Sequence, residues 1–234
     1  MLISNQKGIS NFKIKLKEDN IWNYERICFL NASLPPYLRL AADTNQTLGK
    51  ENSLELLSVL NEYKYLWLEE PFAPDNVSMH KDIYSKIDKL GLFTKIATGE
   101  NCPNAHTALD FIYGKGCHIF QIDACRVMSL CDYIPILVGA KCNNLSVIPH
   151  AGGSGLDELV PHLQAFNLCR INPEFPIESS LMENVGFCSE LLSNPTIVND
   201  GIVKAPQFMG YFGGIFNDIP FETSPTNSAI WLKL

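Results

Sequence analysis

A barrel of parallel strands wrapped by helices is the architecture to which this sequence points, and three features carry that reading. Short apolar or alternating runs keep changing places with helix-patterned segments along the chain. Candidate strands end, on their carboxyl side, in ionisable residues: Lys15, Asp43, Glu69, Glu100, Asp123, His150 and Glu178. Successive members of that series lie 23 to 31 residues apart, about one strand–helix unit each. In a (β/α) barrel, chemistry gathers where the strands end, so these side chains would converge. An open doubly wound sheet would spread them along a line, and the residues alone leave that alternative standing. Taken singly, each is more often an ordinary solvated strand-end group. Seven in phase shift the balance toward a site.

The strands expected, in order, are 12–16 (FKIKL), 38–43 (LRLAAD), 65–70 (YLWLEE), 94–100 (TKIATGE), 117–123 (CHIFQID), 145–150 (LSVIPH) and 174–178 (EFPIE). The first alternates Phe12, Ile14 and Leu16 with Lys13, Lys15 and Lys17, so a strand turns its lysines one way and its apolar groups the other. Between the strands lie helix-patterned segments at 23–33, 53–63, 77–90, 104–116, 131–142 and 156–168. In SLELLSVLNEY, Leu54, Leu57 and Leu60 recur on one face, and Asn52 or Ser53 is placed to cap its start. Strands and helices alternating at these lengths predict parallel pairing.

Composition excludes several classes. The chain has 234 residues, 46% of them hydrophobic, enough for one large core without a forced domain split. Its formal charge of −7 is the reverse of a nucleic-acid-binding balance. No apolar run approaches the ~18 residues of a membrane span. The expected partners therefore include no nucleic acid and no membrane. The eight cysteines show no CxxC pair or zinc spacing, and most adjoin apolar stretches, so they read as reduced, buried thiols of an intracellular protein. No charged-then-apolar leader heads the sequence, and the expected compartment is cytoplasmic or mitochondrial, not secreted.

Asp43, Glu69 and Glu100 fall on three consecutive strands. Three carboxylates brought to one point repel each other unless a cation is shared, and an all-oxygen donor set suits Mg²⁺ better than zinc. Of the adjacent Glu69 and Glu70, only one can face the centre. The register that puts Leu66 and Leu68 toward the helices turns Trp67 and Glu69 inward and leaves Glu70 a structural part. Lys13 and Lys15 would both point inward. Neighbouring ammonium groups disfavour double charging, which makes Lys15 a candidate base and Lys13 its companion. His150 ends a later strand in VIPHAGGSGL, and Asp123, one unit earlier, is placed to bind its second ring nitrogen. Glu178, from the last strand, could stay protonated and donate to a bound anion. Such a set suits removal of a proton α to a carboxylate, with an enediolate forming and the second base expelling a neighbouring hydroxyl.

KIK at 13–15, DTNQ at 43–46, WLEEP at 67–71, ATGE at 97–100, QIDACR at 121–126 and PHAGGSGL at 149–156 resemble the enolase superfamily. Within it they are similar to the mandelate-racemase-like branch, and most to the L-fuconate dehydratases, over residues 8 to about 210. The resemblance implies a TIM-type (β/α) barrel of the enolase C-terminal domain kind. It implies Mg²⁺ on Asp43, Glu69 and Glu100, catalytic bases at Lys15 and His150, and Asp123 as the partner of His150. It further implies sugar-acid contacts from Lys13, Asn45 and Glu178. The implied reaction converts an L-fuconate-like acid to its 2-keto-3-deoxy acid. Racemisation or epimerisation, and a non-catalytic binding or regulatory role, are the alternatives.

The chain departs from the family pattern at Thr47 and Leu48, where a basic residue and tryptophan are usual, and at Lys17 and Glu18, where a glycine turn is usual. Only MLISNQKGIS precedes the lysine strand, whereas family members carry a capping domain and a first strand–helix unit before it. The expectation is thus an N-terminally truncated, incomplete barrel of about seven of eight strands, with the capping domain absent. Residues 1–205 are expected to form it, with 206–234 as a tail. A homo-oligomer is an expected partner state, since open strand edges invite pairing.

Overall fold

A computed structural model describes residues 8–206 apart from 128, 154, 177–179, 187, 188, 190, 191 and 193. Six parallel strands form one sheet: β1 (Asn11–Lys15), β2 (Arg39–Asp43), β3 (Trp67–Glu69), β4 (Lys95–Thr98), β5 (Ile119–Phe120) and β6 (Ser146–Val147). The connecting helices are α1 (Asn20–Ser33), α2 (Lys50–Glu62), α3 (Val77–Leu90), α4 (Ala105–Tyr113), the short α5 (Ala124–Val127) and α6 (Leu130–Cys142). After β6 come α7 (Leu156–Phe166), a π-helical turn at Asn167–Ile171, and a small antiparallel pair, β7 (Val198–Asn199) and β8 (Ile202–Val203).

Strand order decides between the two parallel architectures. The strands pair in sequence order from β1 to β6, with no reversal. A doubly wound sheet requires a reversal, at the switch point where its ligand binds. The sheet is therefore singly wound, as in a (β/α) barrel, and among the described residues β1 and β6 do not pair to close it.

Alternation along each strand sorts the side chains into layers. Ile14, Leu16, Leu40, Ala42 and Leu68 pack outward against Ile27 of α1 and Leu56 and Leu60 of α2. Ile96 and Phe120 do the same against Ile83 and Ile87 of α3, Phe111 of α4 and Ile136 of α6. On the inner side, Ala41, Trp67, Ala97 and Ile148 make a smaller layer at the floor. The register sets Lys13 beside Ala41, Asp43 beside Glu69, and Glu69 beside Ala97. Polar groups thus crowd one end of the ring, above an apolar floor.

Four expectations change. Leu68 faces the helices as expected, but Leu66 packs with Trp67 and Ala41 at the floor, where the chain bends on entering β3 with its backbone already bonded to Leu40 and Lys95. The start of α2 lies earlier than Asn52 or Ser53: Gly49 precedes its first residue, and the Ser53 hydroxyl donates back to the Gly49 carbonyl at 2.7 Å. The seventh strand is not formed by Glu174–Pro176, which sit in a turn; the rest of that segment, with Glu178, lies outside the described residues. Cysteine burial is less than the apolar neighbours suggest. Only Cys102 and Cys117 are buried, whereas Cys125, Cys131, Cys142 and Cys169 are exposed, and all seven described cysteines are free. Among the described residues no helix is long and apolar enough to cross a membrane.

Candidate metal centre and its flanking bases

Asp43 and Glu69 close β2 and β3, and Glu100 follows β4 after a glycine turn. Each offers one carboxylate oxygen such that all three lie within 4.8 Å of one another. Asp43 and Glu69 are fully buried. Burial pushes the Glu69 carboxyl up to about 7, with Lys13 opposing the rise and Asp43 adding to it. Burial also raises Glu100, against the attraction of His150. The buried Oε2 of Glu100 has no hydrogen-bond partner. Carboxylates packed this closely, with an acceptor unsatisfied, form a donor set that fits a hard divalent cation.

Lys13 projects from β1 into the same space. Its Nζ lies 2.6 Å from Glu69 Oε1, 2.8 Å from Glu183 Oε1 and 3.6 Å from Asp43 Oδ2. Burial alone would lower its pKa, but Glu69 and Glu183 outweigh that and hold it above the ordinary lysine value. The companion lysine therefore stays charged because carboxylates surround it; it is not discharged by its neighbour. Lys15, one alternation nearer the rim, pairs with Asp43.

His150 follows β6 and approaches the cluster from the Glu100 side, its Nε2 3.6 Å from Glu100 Oε2. Its Nδ1 is 2.7 Å from Asp123 Oδ2, in agreement with the spacing of the two residues. Asp123 is itself held: Oδ1 accepts the backbone N–H groups of Cys125 and Arg126 at 2.7 and 3.1 Å, where α5 begins. Burial would raise the Asp123 carboxyl, but His150 and these two N–H groups bring it below its usual range. Burial would lower His150, and Asp123, Glu183 and Glu100 raise it instead. Gly152 is required here. A Cβ at that position would stand 2.5 Å from the imidazole Cε1 and Nε2.

The structure thus brings together Lys13, Lys15, Asp43, Glu69, Glu100, Asp123 and His150, and adds a residue that strand phase does not find. Glu183 bridges Lys13 and His150, with Oε2 3.6 Å from His150 Nε2 and accepting the Ala151 N–H at 3.1 Å. Burial would raise its carboxyl, but Lys13, His150 and the Ala151 N–H hold it below the usual glutamate range. It comes from an irregular segment, so no period marks it; the one sign is a lone carboxylate in the SSLMENVG stretch. Asn45 is present but occupied: its backbone N–H and side-chain amide donate to Asp43 at 2.8 and 3.3 Å. Glu70 turns away and accepts from the side-chain amides of Asn101 and Gln46 rather than from a basic group.

A carboxylate triad flanked by a lysine at one end and an aspartate-held histidine at the other, on a singly wound sheet, has the residue types that a metal-assisted acid–base site would use. The chain belongs to the enolase C-terminal domain-like family, whose model matches residues 3–211. Human mitochondrial enolase superfamily member 1 is 30% identical over 227 residues, covering 97% of this chain and 50% of its own. Its crystal structure superposes with a TM-score of 0.89 at 28% identity, over 99% of this chain and 52% of the other. L-galactonate dehydratase of Hypocrea jecorina is 31% identical over 172 residues, 74% of this chain and 37% of its own. The fold also matches L-talarate dehydratase from Polaromonas sp. JS666, complexed with Mg and L-glucarate, with a TM-score of 0.72 at 22% identity, over 88% of this chain and 53% of the other. The chain spans about half the length of the curated relatives it matches. Two of the curated relatives are named for an activity, L-galactonate dehydratase and L-talarate/galactarate dehydratase, so the lineage is that of hydro-lyases.

Proposed function

We propose that this chain catalyses Mg²⁺-dependent dehydration of a sugar acid of the L-fuconate type, yielding the 2-keto-3-deoxy acid. One observation carries the reading: the three-carboxylate cluster has Lys15 against Asp43 at one end and His150 near Glu100 at the other. Asp43, Glu69 and Glu100 would hold the ion, which supplies Lewis-acid stabilisation to a substrate carboxylate as charge builds on it. Lys15 takes the α-proton. His150, its Nδ1 fixed by Asp123, presents Nε2 to the β-hydroxyl and donates the proton with which that group leaves as water. Lys13, held in its charged form, neutralises charge growing on the carboxylate. Glu183, touching both Lys13 and His150, joins Lys13, Asn45 and Glu178 among the substrate-contacting residues of this reading. We assign this chemistry to residues 1–205, with 206–234 appended, and to a cytoplasmic or mitochondrial compartment.

The test is incubation of the full chain with Mg²⁺ and L-fuconate, L-galactonate or galactarate in D₂O, followed by NMR. Formation of a 2-keto-3-deoxy acid is expected. Lys15→Met and His150→Asn should each lower turnover by roughly 10²–10⁴-fold. Deuterium at the α-carbon without loss of water would indicate a racemase or epimerase instead. No exchange and no product with any of these acids would refute the assignment.

A further inference from the structure

Glu69 differs from the other two carboxylates in how its two oxygens are used. Oε1 faces Lys13 at 2.6 Å. Oε2 takes two neutral donors, the indole Nε1–H of Trp67 at 3.0 Å and the amide Nε2–H of Gln121 at 2.8 Å. All three residues are buried, Gln121 at 2% and Trp67 at 7% exposure. Trp67 lies two positions before Glu69 on β3 and so shares its inward face, while Gln121 follows β5, two strands away. The remaining oxygen of Gln121, Oε1, is buried with no partner. An amide that leaves its own carbonyl unsatisfied is there for what its N–H groups do.

The backbone is arranged to bring that amide close. Gly99 has φ +132°, and a Cβ on it would stand 2.9 Å from the backbone nitrogen of Gln121 and 3.0 Å from the Phe120 ring. Only glycine at the end of β4 lets the end of β5 lie this near, with the Gln121 N–H on the Thr98 carbonyl at 2.8 Å.

We propose that Trp67 and Gln121 form a positioning clamp on Glu69, holding Oε2 with two neutral donors and so fixing the plane of the carboxylate beside Asp43 and Glu100. The inference rests on the metal-centre reading above and deepens it. Neutral donors suit this role because they fix the carboxylate plane without adding a charge that competes with a divalent ion. The other two ligands are held differently, Asp43 by its contacts with Asn45 and Glu100 with an oxygen unpaired.

The test is Mg²⁺ titration of the full chain by calorimetry, with Mn²⁺ and its electron paramagnetic resonance signal as a second probe, beside thermal melting without metal. Gln121→Met keeps the volume while removing both the donor and the unpaired carbonyl. It should weaken Mg²⁺ and Mn²⁺ binding about 10- to 100-fold while the metal-free melting temperature stays level or rises. Trp67→Phe should weaken binding in the same sense, and the double variant should lose less than the product of the two, since both donors share one oxygen. Equal affinity in wild type and both variants would overturn the clamp and leave the metal centre standing. A lowered melting temperature with unchanged affinity would make the pair structural and also overturn it. If wild type binds neither ion, the metal-centre reading falls and the clamp falls with it.

Discussion

Side chains at the mouth of this sheet are controlled by what touches them more than by where they lie in the sequence. Glu70 illustrates the point: adjacent to Glu69 and fully buried, it ties the loop after β2 to the loop after β4 through Gln46 and Asn101, at a backbone φ of +39°. Asp157 on α7 shows the same control away from the centre. Burial lifts its carboxyl from 3.8 to about 6, although the backbone N–H groups of Val185 and Gly186 pull the other way. A carboxyl whose pKa is higher in the folded state binds its proton more tightly there. Stability therefore falls as pH rises through the window from the unfolded value to about 6, and the loss is complete above it. Asp157→Asn should gain stability relative to wild type across that window in urea midpoints measured against pH; a constant difference would show that the carboxyl does not titrate there. Asp43, Glu69, Glu100, Asp123 and His150 are readable from the sequence because a strand end fixes where each must project. Glu183 is not, because its segment has no repeat to count.

Helices and strands are legible where local chemistry agrees with the tertiary demand. The helix expected over 77–90 matches the observed bounds of α3, with Asn76 accepting the Met79 N–H at the start and Gly91 in the left-handed region at φ +61° at the end. Nothing lies within 4 Å of a Cβ placed on Gly91, so Gly91→Ala meets no clash and costs only backbone strain. That substitution should destabilise the chain by roughly 1–2 kcal/mol by chemical denaturation, with the metal affinity unchanged. The start of α2 is less legible because its cap candidates have other uses. Ser53 bonds back to Gly49, and the Asn52 carbonyl accepts from the Asn20 side chain at 3.2 Å. β5 and β6 are two residues each, shorter than their apolar runs, yet parallel hydrogen bonds continue beyond them, the Ile148 N–H on the Phe120 carbonyl at 3.0 Å and the His150 N–H on the Ile122 carbonyl at 3.1 Å, so the runs still carry the chain to Asp123 and His150.

Taken as one body, the sheet has two unequal kinds of strand. β2, β3, β4 and β5 have a neighbour on each side, whereas β1 and β6 are terminal in the described sheet. Opening of a terminal strand exposes less core, so protection should be graded across the ring. Amide hydrogen exchange should be slowest at Ala41–Ala42, Leu68 and Ile96–Ala97, faster along β1 and β6, and fastest in the 198–203 pair. Uniform protection across all six strands would mean that something beyond the described residues covers the edges. The strand-end spacing favours the singly wound order over a doubly wound one without deciding it, and the open edges agree with the incomplete barrel expected; the seventh strand differs, since Glu174–Pro176 leave the expected 174–178 strand for a turn. One lysine has a further consequence for the molecule. Lys13 sits among Glu69, Asp43 and Glu183 as a built-in counter-ion, so the acidic mouth is partly neutralised by the chain itself. On the proposed function, a chelator should therefore remove the ion without lowering the melting temperature of the sheet, and loading would follow folding instead of driving it.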